Sequence, residues 1–121
     1  MVPFIDLKRF EAGFLDTWAD TIFQMSKGAE FIGGAQIKSL EHRLQCFCKV
    51  SHVVSCANGT DAIQLSLRAI GVGPGDEVIV PDMTFWATFE AVVNVGGSPI
   101  TVDISLADGG INFEAFKLAI Q

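Results

Sequence analysis

Cations are scarce in this chain: eight Lys and Arg stand against fourteen Asp and Glu in 121 residues, a formal charge of −6 at pH 7. That balance argues against a polyanion partner captured by the global field, so nucleic acid is not expected. No stretch approaches the 18 or so uninterrupted apolar residues of a membrane span, because Gly, Asn, Ser and Pro break the longest uncharged runs. The first ten residues hold Asp6, Lys8 and Arg9 and lack an apolar core segment, so no secretory signal is read there and a cytoplasmic location is expected. Cysteine is limited to Cys46, Cys48 and Cys56, an odd set that favours reduced thiols over a disulfide framework. Cys46-x-Cys48 lacks the paired spacing of a zinc site, so no metal is expected and the pair is assigned to buried or half-buried helix positions. Repeats, low-complexity tracts and Ser/Pro-rich linkers are also missing, so nothing marks a boundary between two independent domains.

Half of the residues are apolar and only 18% charged, which excludes intrinsic disorder and lets a chain of this size bury a core. The first third, residues 1–50, reads as a helical segment. Leu7, Phe10, Phe14, Trp18 and Ile22 recur at steps of three and four and form one apolar stripe, ending at the stop signal Ser26-Lys27-Gly28. After the Gly-rich joint Phe31-Ile32-Gly33-Gly34, Ile37, Leu40, Leu44 and Phe47 share a second helical face, with Lys38, Glu41, Arg43 and Gln45 assigned to the wet side.

From residue 51 to 121 the pattern changes to strands separated by helices. Val53–Cys56 is a short apolar run, and Thr60 to Ile70 carries Ile63, Leu67 and Ile70 at helical spacing. Gly71 to Asp76 is a turn, Glu77 to Pro81 a second strand, Thr84 to Val95 a second helix stopped by Gly96-Gly97, and Pro99 to Ile104 a third strand. Continuous apolar strands joined by helical crossovers predict an α/β architecture with parallel strands. A further helix begins near Asn112.

In open α/β sheets ligands gather beyond the carboxyl ends of the strands. Two loops qualify. In Cys56-Ala57-Asn58-Gly59-Thr60-Asp61, Gly59 admits a ligand close to the backbone, and the first amides of the helix, those of Thr60, Asp61 and Ala62, meet it together with the Thr60 hydroxyl, which suits a phosphate. The same residues also read as an ordinary cap, with Asn58 as N-cap and Asp61 complementing the helix dipole. In Pro81-Asp82-Met83-Thr84-Phe85-Trp86, Trp86 can lay its ring against a flat heterocycle or bury itself in the core. Together the loops fit a phosphorylated aromatic cofactor. Neither a Walker pattern nor G-x-G-x-x-G is present, which disfavours a nucleoside triphosphate or a dinucleotide. His42 is assigned to a solvated helix face, His52 lacks a nucleophile at a recognisable spacing, and Asp103 and Asp108 read as turn carboxylates.

At these loops the sequence closely resembles the DegT/DnrJ/StrS family. The resemblance is carried by Asn58-Gly59-Thr60-Asp61-Ala62, by Gly71-Val72-Gly73-Pro74-Gly75-Asp76-Glu77-Val78-Ile79-Val80-Pro81, by Thr84-Phe85-Trp86-Ala87-Thr88, and by Pro99-Ile100-Thr101-Val102-Asp103-Ile104. Val2-Pro3-Phe4-Ile5-Asp6-Leu7 and Phe31-Ile32-Gly33-Gly34 also match, so it covers essentially the whole chain. The resemblance implies the aspartate aminotransferase-like fold of type I, with residues 51–121 as the start of its large domain. It implies pyridoxal 5′-phosphate (PLP) as cofactor, with Gly59, Thr60 and Asp61 at its phosphate and Trp86 stacked on its ring. The implied reaction moves an amino group from glutamate to a nucleotide-linked keto-sugar in a homodimer, in the service of surface polysaccharide assembly.

By the same resemblance the lysine that binds the cofactor covalently lies beyond a position equivalent to Gln121, and Lys8, Lys27, Lys38, Lys49 and Lys117 match no family lysine motif. No catalytic residue is therefore assigned. The expectation is an N-terminal fragment of such an enzyme, inactive by itself and poorly soluble; a non-catalytic remnant or accessory subunit, or a dehydratase of the same family with His in place of the Lys, is the alternative. Adjacency rules would pair all three strands as neighbours, whereas the family fold separates the first strand from the next two.

Overall fold

A computed structural model describes residues 2–120, which divide between Ser55 and Cys56 into two compact units. The first unit holds α1 (Phe14–Gly28) and α2 (Ala35–Cys48). The first helix starts later than the stripe predicts: Leu7 and Phe10 precede it, and Gly13, at φ 79°, sets its boundary. Its end also shifts by one residue. Gly28 remains helical, and Ala29 takes the left-handed conformation at φ 52°, where its amide bonds Ser26 O and the Glu30 amide bonds Met25 O. Lys49 ends α2 in the same way at φ 55°.

Both apolar stripes of this unit face outward. Phe14, Trp18 and Ile22 are 47%, 57% and 43% exposed. On α2, Leu40, Leu44 and Phe47 are exposed, whereas Glu41 and Gln45, assigned to the wet side, are half-buried. For Glu41 the reason is a specific bond: its Oε1 accepts from both the amide and the hydroxyl of Ser55, each at 2.9 Å. All three cysteines are exposed and free, which corrects the buried or half-buried placement expected for Cys46 and Cys48.

The second unit runs α3 (Gly59–Ala69), β1 (Glu77–Pro81), α4 (Ala87–Asn94), β2 (Ser98–Val102) and α5 (Phe113–Ala119). The two strands pair in parallel from Glu77 opposite Ser98 to Pro81 opposite Val102. Bonds from the Ser98 amide to Asp76 O and from the Asp82 amide to Val102 O extend the ladder at both ends. The helix α4 makes the crossover and packs on both strands and on α3. Its inner face, Ala87, Ala91 and Val92, forms the core with its C-cap Val95 and with Val80 and Val102. Small residues on that face bring the helix close to the sheet. The crossover ends at Gly96, whose φ of 90° is left-handed, as expected of a glycine stop.

The first of the three expected strands is not formed. Val53–Cys56 carries no strand assignment, and β1 and β2 alone make up the sheet among the described residues. An extended run becomes a strand only through a ladder partner. The adjacency expectation therefore fails for Val53–Cys56 and holds for β1 and β2.

Candidate functional site

The loop ahead of α3 is built by its cap. Asn58 is extended, at φ −162°, and its Oδ1 accepts from the Asp61 amide at 2.9 Å. Its own carbonyl accepts from the Ala62 amide at 3.1 Å and lies 3.4 Å from the Cys56 thiol, which donates to it. Of the helix-start amides expected to be free, those of Asp61 and Ala62 are thus engaged within the chain. The amides of Gly59 and Thr60 have no partner among the described residues, and the Thr60 hydroxyl has none either.

Two adjacent unpaired amides at the positive end of a helix, with a hydroxyl beside them, are anion donors. Gly59 also leaves the approach open, since a Cβ added there would meet nothing within 4 Å. Asp61 contributes differently from Gly59 and Thr60: its carboxylate repels an anion and its amide is committed to Asn58, so its part is to lock the turn. A phosphate group fits the loop.

The second loop leaves the carboxyl end of β1 in the same compact unit. Trp86 is the N-cap of α4 and is 69% exposed, so the core placement weighed for it does not hold. Its ring leans on Phe89 one turn on, with centroids 6.1 Å apart and planes tilted by 37°. Phe85, which sequence reasoning passed over, is 80% exposed beside it. A hydroxyl pair, Thr84 and Thr88 at 3.0 Å, closes the same turn.

The remaining candidates lie apart from these loops. His42 is exposed, with its Nε2 3.9 Å from the Cys46 sulfur. Asp108 is a turn carboxylate, held below the usual range by the Gly110 amide and then by the Ser105 hydroxyl. Among the described residues no three His, Cys, Asp or Glu side chains gather as a metal would require. The Glu41 link to Ser55 spans fourteen residues and matches no local pattern, so nothing in the spacing could have revealed it.

The sequence pattern of the DegT/DnrJ/EryC1/StrS aminotransferase family matches residues 16–121. The chain belongs to this family. It is 44% identical over 120 residues to the UDP-2-acetamido-2-deoxy-3-oxo-D-glucuronate aminotransferase of Pseudomonas aeruginosa, covering 99% of this chain and 33% of that protein. Among solved structures, a DegT DnrJ EryC1 StrS aminotransferase from Brucella abortus superposes with a TM-score of 0.90 at 37% identity, covering 99% of this chain and 32% of that one. NtdA from Bacillus subtilis, solved with bound cofactor PMP, superposes at 0.92 and 33% identity, over 99% and 28% of the two chains. The chain thus spans about a third of the length of the relatives it matches. Its architecture is the N-terminal portion of a fold-type I PLP-dependent aminotransferase, the fold class expected from the sequence.

Proposed function

We propose that these residues form the cofactor-phosphate portion of a PLP-dependent aminotransferase, which transfers an amino group from glutamate to a nucleotide-linked keto-sugar in the cytoplasm and works as a homodimer. The observation that carries this is the loop at Asn58–Asp61, with two unpaired amides, a free hydroxyl and open space over Gly59. Gly59 and Thr60 hold the phosphate, Asp61 and Asn58 keep the turn closed, and Trp86 offers its face to the pyridine ring. When bound, PLP supplies an electron sink for breaking and making bonds at an amine-bearing carbon. The loop's task is to orient that ring by anchoring its phosphate, and the exposed indole covers one of its faces. The five lysines of these 121 residues match no family lysine motif, so the chain by itself does not transaminate.

The test uses the protein at the length of its relatives. The chain holds two tryptophans, and Trp18→Phe leaves Trp86 as the reporter within it. Titration with PLP should quench the Trp86 emission, and excess inorganic phosphate should compete. Binding that leaves Trp86 emission unchanged removes the indole from the site, and Phe85→Leu then asks whether the neighbouring ring takes its place. Failure to bind PLP at all refutes the reading.

A further inference from the structure

We propose that Thr84 and Thr88 are positioning residues for the Trp86 indole, their hydroxyl pair acting as a clasp across the turn that carries it. The inference rests on the reading of Trp86 as the wall beside the pyridine ring. The Oγ1 atoms of the two threonines stand 3.0 Å apart, one residue placed two positions before Trp86 and the other two after it. One hydrogen bond therefore brackets the backbone of the indole from both sides. All of these residues belong to the second compact unit.

The turn has few other ties. Beyond the Asp82 amide, which bonds Val102 O, the amides of Met83, Thr84, Phe85 and Trp86 have no partner among the described residues. Trp86 is the N-cap of α4 and closes no side-chain bond, whereas Asn58 closes one at the start of α3. The backbone bonds of the first turn reach back no further than Phe85 O, which accepts from the Thr88 amide, so among the described residues Thr84 is hydrogen-bonded to the helix through its hydroxyl alone. The Thr88 hydroxyl also departs from the common course of helical hydroxyls, which return to the carbonyl four residues back. Thr17, Thr21 and Ser66 do so, bonding Gly13 O, Thr17 O and Ala62 O. Thr88 meets the hydroxyl of Thr84 at the same sequence separation, outside the helix.

The exposure of the indole gives this clasp its consequence. A ring left 69% exposed is not fixed by core packing, so its direction follows from the backbone that bears it. Holding that backbone in place before a ligand arrives lowers the ordering cost of stacking. The place is also the right one. The helices α3 and α4 pack together and end together, since Gly96 and Gly97 after α4 lie against Pro74 and Val72 after α3, so both helices start on one rim.

Three probes separate positioning from a general effect on the fold: PLP, pyridoxal, which has the same ring and no phosphate, and inorganic phosphate, which has no ring. The protein at the length of its relatives is titrated with each, as wild type, Thr84→Val, Thr88→Val, the double variant and Thr88→Ser. Valine keeps the branched shape and removes the hydroxyl. Each single Val variant should weaken PLP and pyridoxal by about three- to tenfold, the range of one lost hydrogen bond, and leave inorganic phosphate within about twofold. The double variant should bind no more weakly than either single one, because both remove the same bond. Thr88→Ser, which keeps a hydroxyl, should recover most of the loss. Losses that add in the double variant, losses that fall equally on inorganic phosphate, or unchanged affinity for all three probes overturn the proposal. Should the Thr88→Val variants fail to fold, Thr84→Val, which lies outside the helix, carries the test through its ratio of pyridoxal to phosphate affinity. Pyridoxal affinity untouched by Trp86→Leu refutes the reading of the indole as the ring wall, a different result from a wall that binds equally well without its clasp.

Discussion

Replacing Asn58 by Asp separates what the loop does for the fold from what it does for a ligand. As an N-cap, Asp is as good as Asn: its carboxylate accepts from the Asp61 amide in the place of Oδ1, and its charge gains about 0.3 to 1 kcal/mol against the helix dipole. Stability should therefore stay level or rise by up to about 1 kcal/mol. Phosphate affinity should move the other way. A unit charge pair about 4 Å apart costs about 1 kcal/mol in bulk water and about 4 kcal/mol at a protein surface with an effective dielectric of 20. A phosphate bearing more than one negative charge, seated at the amides next in sequence to the cap, feels at least the lower figure. A loss of about tenfold in PLP affinity is expected, with pyridoxal unaffected. Thermal melting and parallel titrations with the two ligands measure the pair of effects. Asn58→Ala is the control, because it removes the cap and lowers stability by about 1 kcal/mol. If Asn58→Asp holds PLP as tightly as wild type, the phosphate does not sit at this helix start and the site reading fails.

Other expectations concern the backbone and the acid limb. Ala29→Gly and Lys49→Gly each relieve a left-handed residue, at φ 52° and 55°, and should each raise stability in urea titrations by about 0.5 to 1 kcal/mol. Gly96→Ala should cost about 2 to 4 kcal/mol in the same assay, since its φ of 90° is strained for an L residue and the new Cβ would lie 3.0 Å from Pro74 Cγ. The folded-state pKa of Glu41 is depressed, so its contribution is fully present above the ordinary carboxylate value near pH 4 and is lost as pH falls through the depressed one. Hydrogen exchange at the Ser55 amide should accelerate over that acid range in wild type, relative to neighbouring amides, and show no such transition in Glu41→Gln.

The parts of the fold that the sequence made legible are those whose signals are local. Asn58 and Asn112 are both capping side chains, Asn112 accepting from the Glu114 and Ala115 amides, and each stands where the start of its helix was expected. The strand Glu77–Pro81 falls on its predicted bounds because the glycine turn before it and the loop after it mark its ends. Val53–Cys56 misled because apolar, β-branched composition records a preference for extended backbone, while a strand also needs a partner to hydrogen-bond. The candidate site was legible to the same degree. The loops were found from their places ahead of helices, but which amides remain free depends on how the cap closes, and two of the three named are engaged.

The two helices of the first unit show where periodicity stops informing. Spacing tells which face of a helix is apolar and says nothing of what will cover it. Full burial of a Leu or Phe side chain gains about 1.5 to 3 kcal/mol, and the faces of Phe14 and Trp18 on α1 and of Leu40 and Phe47 on α2 collect only part of it, each remaining about half exposed or more. Burial of those faces therefore does not set how α2 sits within the unit. The Glu41 carboxylate instead supplies a directional contact, accepting from both the amide and the hydroxyl of Ser55 at 2.9 Å. Such a bond nets only about 0.5 to 3 kcal/mol, and an apolar residue turned inward at the same position would gain as much, so what the contact adds is direction rather than stability.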